Sequence, residues 1–244
     1  MNHTAQSFFQ ALLQRIVLRF PKLSEGRVGV SKVMEYLRVW HYVHHAKITG
    51  DYLEFGVFRG ASFDLALRTA GKFFDKHSSS APRFFAFDSF AGLPSLHGER
   101  DGDVFYKGEY ESSLATFQRN IRRAAKGWKV QVVPGFYESS LTPAKRQELG
   151  LSAAAFVNID CDLYSSTRSA LSFITPLLRT GSVIYFDDWF LSNGDMSRGE
   201  PGACSDWLAE TPGLRLIDFG NVGVMGKLFI VNRSSHQVPS LTVE

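Results

Sequence analysis

Cysteine and long apolar runs are the two features that this sequence has least of. The two cysteines, Cys161 and Cys204, have no metal-ligand spacing and are too few for a disulfide framework, which fits a reducing compartment. No apolar run approaches the length of a membrane-spanning helix, and residues 1–20 lack the apolar core of a signal peptide. We therefore expect a cytoplasmic protein without a membrane partner.

An excess of charge of one sign is also missing. The 244 residues include 27 Lys and Arg against 24 Asp and Glu, which gives a formal net charge of +3 with no long basic run. That balance is too mild to indicate a nucleic-acid partner. The length is sufficient for one large α/β domain with a sizeable core. These properties permit a single soluble enzyme domain.

Apolar runs typical of buried strands alternate with helical patterns along most of the chain. The predicted strands are 52–57, 83–87, 129–133, 154–159, 183–186, 214–219 and 227–231, and the predicted helices are 61–75, 111–126, 138–149, 165–179 and 201–210. Strands separated by helices form a parallel sheet. Residues 220–226 are too short for a crossover, so the seventh strand should run antiparallel. The sequence predicts an α/β fold, a Rossmann-like doubly wound sheet of seven strands with an antiparallel final strand.

Two further helices are predicted ahead of this sheet, at residues 4–20 and 31–48. They make an N-terminal helical extension, residues 1–49, before the main domain at 50–232 and a polar tail at 233–244. The first helix has an apolar stripe of Phe8, Phe9, Leu12, Leu13, Ile16 and Val17. Because such stripes seldom stay exposed, this helix should pack on a partner subunit of a homo-oligomer, cover the ligand cleft, or dock onto its own domain.

Carboxylates directly follow two of the predicted strands. Asp160 follows the run 154–159, and Asp187 and Asp188 follow the run 183–186. Ligands of open α/β sheets bind at the carboxyl ends of the strands, so these side chains converge if the two strands are neighbours. Three close carboxylates repel one another and usually need a cation, and oxygen ligands favour a hard ion such as magnesium. The alternative is that these aspartates are helix N-caps facing water.

A glycine-containing turn follows the first predicted strand. Gly56 and Gly60 would let the backbone turn tightly and approach a ligand, and the helix start at Ser62 offers free N–H groups to a carboxylate. Phe58 stands where the dinucleotide fingerprint needs its middle glycine, which argues against a pyrophosphate at this turn. The alternative is a packed strand-to-helix turn without a ligand.

The ends of the second and third predicted strands add to this pattern. Asp88 lies where nucleotide-binding folds hydrogen-bond the ribose hydroxyls. Gly135 and Phe136 follow the third strand, where a glycine and an aromatic ring could flank an adenine. A nucleoside without a phosphate chain suits this set.

Five ordered segments of the chain resemble motifs of a known family. They are EFGVFRGAS at 54–62, FDSFAGLP at 87–94, PGFYESSL at 134–141, DCDLYSST at 160–167 and GSVIYFDDW at 181–189. These segments are similar to successive motifs of the macrocin O-methyltransferase family, and the resemblance covers about residues 50–232. It implies a metal-dependent methyltransferase that uses S-adenosylmethionine to modify a hydroxyl, often on a sugar of a natural product.

The resemblance also implies roles for individual residues. The cofactor would be held by Glu54, Gly56, Gly60, Ser62, Asp88, Ser89, Gly135 and Phe136. Magnesium or a similar hard cation would be held by Asp160, Asp187 and Asp188, and Asp160 would be catalytic through that metal. Asp162 matches the general base of some members, whereas other members use a nearby histidine where this chain has Tyr164.

Other functions fit part of the pattern. A nicotinamide-dependent oxidoreductase would share the sheet and the ribose acid, but it would lack its glycine fingerprint. A non-catalytic cofactor-binding or assembly protein could have kept the same fold. The acceptor is open among sugars, polyketides, catechol-like rings and peptides, because the loops at 92–110 and 191–202, which should close over it, carry no readable substrate code.

Four histidines have no clear role in this scheme. His41, His44 and His45 have a spacing that could bind zinc on the second predicted helix, but a solvated or packed helix face is the expected outcome. His97 lies in the glycine-rich segment 92–110.

Overall fold

The computed structural model describes residues 29–96, 98–101 and 105–233, and it contains the predicted seven-stranded sheet. The strands are β1 (Asp51–Phe55), β2 (Phe84–Asp88), β3 (Val130–Pro134), β4 (Ala154–Ile159), β5 (Val183–Phe186), β6 (Leu214–Val222) and β7 (Gly226–Arg233). Their order across the sheet is β3-β2-β1-β4-β5-β7-β6. The pairs among β1 to β5 are parallel, and β7 runs antiparallel to both β5 and β6. The predicted sheet and its antiparallel final strand are therefore confirmed.

The helices follow the predicted order, with shifted ends. They are α1 (Val30–His45), α2 (Ala61–Ala70), α3 (Leu114–Ala125), α4 (Tyr137–Ser140), α5 (Pro143–Glu148), α6 (Tyr164–Ile174) and α7 (Gly199–Glu210), with 3-10 turns at Glu99–Asp101 and Thr175–Leu177.

Several helix predictions were too long. The helix predicted at 61–75 ends at Ala70, before Gly71. The helix predicted at 138–149 is two helices, because Pro143 has no N–H to continue the first and starts the second. The helix predicted at 165–179 tightens into a 3-10 turn that contains Pro176. The loop predicted at 191–202 ends earlier, since α7 begins at Gly199.

Helices α1, α2 and α3 cover one face of the sheet. Trp40 of α1 is fully buried, and its ring lies 5.5 Å from that of Phe156 on β4 and 5.9 Å from that of Tyr52 on β1. Phe63 of α2 is buried beside Phe117 of α3, with ring centroids 5.4 Å apart. Helix α1 therefore shares the core of the sheet domain, although the sequence placed it in an extension before residue 50.

The opposite face is covered by α6 and α7, with Phe173 and Trp207 in its core. The aromatic pair of Phe55 and Phe87 stacks on neighbouring strands of this face, with ring centroids 4.7 Å apart. Cys161 and Cys204 are buried here as free thiols. Covering both faces explains why β4 and β5 are almost entirely apolar.

Some predictions fall outside the described residues. Among them are the apolar helix predicted at 4–20, and His97 and residues 102–104 of the loop predicted at 92–110. Within the part of the chain that the structure does describe, no helix is both long enough and apolar enough to cross a membrane.

Candidate active site

A cavity of about 240 Å³ lies at the carboxyl ends of β1, β2, β4 and β5. The sheet changes its winding direction between β1 and β4, and open α/β sheets bind ligands at such a point. The cavity walls contain most of the predicted site residues: Gly56, Ser62, Asp88, Ser89, Phe136, Asp160, Asp162, Asp187 and Asp188. The remaining predicted residues, Glu54, Gly60 and Gly135, do not line the cavity.

The turn after β1 depends on its two glycines for packing. Gly56 has a φ of 87°, and a Cβ at this residue would lie 1.7 Å from the carbonyl oxygen of Asp160. Gly60 has a φ of 85°, and its Cβ would lie 2.8 Å from the side chain of Ile121. Gly56 therefore lets the ends of β1 and β4 approach, and Gly60 lets α2 approach α3. Phe58 holds a positive φ of 45° at the position of the missing middle glycine.

Asp88 organises this turn. One oxygen of its carboxylate accepts hydrogen bonds from the backbone N–H groups of Val57 and Phe58, both at 2.8 Å. The other oxygen accepts from the N–H of Phe90 at 2.7 Å. A carboxylate has about four acceptor sites, and three are used here, so Asp88 can still accept about one hydrogen bond from a ligand in the cavity. Its assignment to ribose stays a prediction.

Glu54 and Ser62 contact each other instead of both facing the cavity. The Ser62 hydroxyl donates to Glu54 Oε1 at 2.5 Å, and the Tyr52 hydroxyl donates to Glu54 Oε2. Glu54 is fully buried, and this burial raises its pKa from 4.5 to about 7. Glu54 can therefore influence a cofactor by positioning Ser62, since it does not line the cavity itself.

The predicted adenine region lies at the start of α4. Gly135 has a φ of 137°, and its N–H donates to the carbonyl of Asp88 at 2.9 Å. Phe136 is 40% exposed and lines the cavity. Ser89 donates its hydroxyl to the carbonyl of Gly92 at 2.7 Å, which fixes the start of the loop over the cavity. These residues stand together as predicted, and their contact with an adenine stays a prediction.

Four carboxylates meet at the ends of β4 and β5. The two strands are parallel neighbours with Ile159 opposite Phe186, so Asp160 and Asp187 follow paired residues. The N–H of Asp187 donates to the carbonyl of Ile159 at 3.0 Å, which links the two strand ends. The predicted convergence of the aspartates therefore occurs in the structure.

The carboxyl groups of Asp162 and Asp188 interact with each other. Burial, then repulsion by Asp187, raises the pKa of Asp188 to about 6. Burial, then the contact with Asp188, raises the pKa of Asp162 well above its ordinary value. The pKa of Asp160 is also raised, first by burial and then by repulsion from Asp187. These three aspartates are therefore protonated more readily than isolated aspartates.

Lys32 of α1 is a cation that two of these carboxylates contact. Its Nζ donates to Asp187 Oδ1 at 2.9 Å and to Oδ2 at 3.0 Å, and it lies 3.9 Å from Asp160 Oδ2. Although burial alone would lower the pKa of Lys32, the carboxylates of Asp187 and Asp160 raise it above its ordinary value. The lysine is therefore charged within the site.

The sequence analysis missed two buried residues of the site. Lys32 lies on the helix face that also buries Tyr36 and Trp40, so a lysine at a core-facing position of the predicted helix was the available signal. Glu200 of α7 is fully buried, and it accepts a hydrogen bond from the N–H of Asp188 at 2.9 Å. Nothing in the local sequence placed Glu200 beside the strand end.

A divalent metal does not fit the site as it is arranged. Among the residues that the structure describes, no group of three or more His, Cys, Asp and Glu side chains is placed to hold a metal ion. The carboxylate oxygens suit magnesium chemically, but the Lys32 ammonium lies between Asp160 and Asp187. The assignment of Asp160, Asp187 and Asp188 as metal ligands stays a prediction.

The histidines of α1 form an exposed, partly packed face, as expected. His41 is stacked on Phe73, with ring centroids 5.4 Å apart, and His44 packs edge-on against Phe74 at 5.2 Å.

The family model of macrocin O-methyltransferase (TylF) matches residues 2–198. The chain belongs to this family. The resemblance noted from the five motifs is thereby confirmed.

One curated relative is the 8-demethyl-8-(2,3-dimethoxy-alpha-L-rhamnosyl)-tetracenomycin-C 4'-O-methyltransferase of Streptomyces olivaceus. It is 26% identical over 178 residues, an alignment that covers 70% of this chain and 64% of the relative. The chain therefore spans less than two thirds of the length of this relative.

Solved structures share the fold. The calicheamicin methyltransferase CalS11 superposes with a TM-score of 0.66 at 21% identity, covering 84% of this chain and 80% of CalS11. The O-methyltransferase from Bacillus cereus, solved in complex with SAH, gives a TM-score of 0.54 at 18% identity, covering 82% of this chain and 81% of the other. At these identities the likeness concerns the fold alone.

Proposed function

We propose that this chain transfers a methyl group from S-adenosylmethionine to a hydroxyl of a small molecule, with a sugar-bearing natural product as the acceptor class. One observation carries the proposal. A single cavity joins the Gly56 turn and Asp88 on one side to the carboxylates of Asp160, Asp162 and Asp187 on the other. The first set suits a nucleoside, and the second suits a hydroxyl that must lose a proton. The Streptomyces olivaceus relative, named as a 4'-O-methyltransferase of a rhamnosylated compound, supports the acceptor class.

The cofactor side of the cavity supplies binding and orientation. When bound, S-adenosylmethionine supplies a methyl group on a positively charged sulfur. Asp88 would accept hydrogen bonds from the ribose, and the half-exposed ring of Phe136 would pack on the adenine. Because the leaving group is already good, the task of the protein is to align the attacking oxygen with the methyl group.

The carboxylates would handle the proton of the acceptor hydroxyl. Asp162 is the proposed base, and it lines the cavity together with Asp160 and Asp188. The raised pKa of this carboxyl makes its ionised form a stronger base near neutral pH than an isolated aspartate. Asp162 also has a φ of 62°, a conformation that non-glycine residues seldom adopt and that often marks functional sites.

Magnesium is a separate part of the proposal. The three ligands proposed for it are Asp160, Asp187 and Asp188, whose oxygens have suitable chemistry. Since the Lys32 ammonium contacts two of them in the present arrangement, no step of the reaction is derived through a metal.

Calorimetry with S-adenosylmethionine and with NAD tests the cofactor class. We expect the full chain to bind S-adenosylmethionine and not NAD, and Asp88→Asn to weaken that binding. Asp75→Asn is the matched control, because Asp75 is exposed and lies outside the cavity. Binding of NAD alone would favour the oxidoreductase.

Turnover is tested with deuterium-labelled methyl donor and a panel of glycosides and catechols, read by mass spectrometry. Transfer of the labelled methyl to a sugar hydroxyl is the expected result, and Asp162→Asn should reduce it strongly while cofactor binding persists. Cofactor binding without transfer to any panel member would favour the non-catalytic alternative.

A further inference from the structure

The side chain of Lys32 ends at the point where the two central strands end. Its ammonium donates to both oxygens of Asp187 and lies 3.9 Å from Asp160 Oδ2. The residue as a whole is only 9% exposed. Long lysine side chains are seldom buried unless they are paired, so the contact with the two carboxylates is what keeps Lys32 inside.

The rest of helix α1 fixes this position. Lys32 stands one turn before Tyr36 and two turns before Trp40, on the face that packs against the sheet. The ammonium also lies 5.4 Å from the ring centre of Tyr185, whose hydroxyl donates to Asp187 Oδ1. The lysine is therefore held by the helix and by its neighbours, and its place in the site does not depend on a flexible loop.

The same oxygens cannot serve the ammonium and a divalent cation together. A divalent ion binds carboxylate oxygens at about 2.0–2.6 Å, which requires the space that Lys32 Nζ fills between Asp160 and Asp187. Two positive charges at that separation would also repel each other in a poorly solvated site. One cation must leave before the other can bind.

We propose that Lys32 is the built-in counter-cation of Asp160 and Asp187, and that a divalent cation binds this site only by displacing the Lys32 ammonium. Divalent binding is then weakened by an internal competitor that the chain itself carries. The significance of the site rests on the proposed methyl transfer, but the competition between cations does not require cofactor or acceptor.

Manganese binding, followed by electron paramagnetic resonance without cofactor, tests the competition directly. Lys32→Met removes the charge and keeps an unbranched side chain, and it should bind Mn²⁺ at least about tenfold more tightly than the wild type. Adding Asp187→Asn to that variant should remove the gain. Lys145→Met is the matched control, because it removes a lysine from the ion pair with Glu148 on helix α5, outside the cavity.

Thermal unfolding gives a second readout. Without divalent ions, Lys32→Met should melt below the wild type, because Asp160 and Asp187 lose their cation, and millimolar Mg²⁺ should restore its melting temperature. If Lys32→Met does not fold, Lys32→Gln takes its place in both experiments. Equal Mn²⁺ affinity of the wild type and the folded variant, including no binding by either, would overturn the proposal, as would weaker binding by the variant. These results would leave the methyltransferase proposal standing, since that proposal is judged by methyl transfer.

Discussion

Replacing Glu54 with glutamine should remove a pH-dependent loss of stability. Glu54 lies fully buried on β1, and burial raises the pKa of its carboxyl from 4.5 to about 7. A carboxyl with a raised pKa binds its proton more tightly in the folded state than in the unfolded state. Stability from this group is therefore present below pH 4.5 and is lost as the pH rises to about 7. Glutamine mimics the protonated form at every pH.

The magnitude follows from the difference between the two pKa values. One pKa unit corresponds to about 1.4 kcal/mol, so raising the pKa from 4.5 to about 7 corresponds to roughly 3 kcal/mol once the group is ionised in both states. At pH 5 the loss of stability caused by ionisation of Glu54 is still small, about 1 kcal/mol. The free energy of unfolding of Glu54→Gln, relative to the wild type, should therefore increase by roughly 2 kcal/mol between pH 5 and pH 8.

Urea unfolding of both proteins at several pH values between 5 and 8 measures this difference. Comparing the two proteins at each pH cancels the contribution of the other titrating groups. Glu148→Gln is the control, because Glu148 is exposed and should show no pH-dependent change relative to the wild type. A difference between Glu54→Gln and the wild type that stays constant with pH, or that falls as the pH rises, would refute the reasoning.

Two further predictions concern the turn after β1 and the loop at 92–110. Gly56→Ala should lower the free energy of unfolding by more than about 2 kcal/mol and weaken cofactor binding. The reason is that its Cβ would lie 1.7 Å from the Asp160 carbonyl oxygen, at a residue with a positive φ. Urea unfolding measures the change in stability, and Gly71→Ala is the control, because the nearest atoms to its Cβ would lie at 3.5 Å. Arg100 donates to Asp206 at 2.7 Å and to the carbonyl of Ser197 at 3.0 Å, so it connects the loop at 92–110 to helix α7 and the residues before it. Arg100→Met should raise the KM for the acceptor several-fold with cofactor affinity and stability nearly unchanged, since the ion pair is exposed; an unchanged KM would show that this contact does not position the loop.

The strands could be predicted from the sequence because the sheet is covered on both faces. β4 at Ala154–Ile159 and β5 at Val183–Phe186 are buried at every residue, so each is a mainly apolar run with clear ends, and Asn158 is the polar exception. The short link before β7 fixed its direction, because no crossover fits between Val222 and Gly226. These features are local, and local sequence was sufficient for them.

The helix ends depended on contacts that a periodic pattern does not contain. Residues 138–149 keep a helical pattern across Pro143, yet the backbone starts a new helix at that proline.

The position of α1 in the main core could not be predicted for a different reason. Its stripe of Tyr36, Val39 and Trp40 predicts burial, but the pattern does not say which surface buries it. Only the packing on Phe156 and Tyr52 places the helix in the main core.

The site shows where inference from the sequence stops. That carboxylates at two strand ends would converge followed from the topology, and the need for a positive charge followed from their repulsion. The identity of that charge did not follow, because Lys32 is 155 positions from Asp187 in the chain and belongs to a different element. A cluster of acids in a sequence therefore predicts that a cation is present, whereas the choice between a metal ion and a lysine depends on which helix packs across the strand ends. In this chain α1 packs there, and the lysine in its first turn is a cation that Asp160 and Asp187 contact.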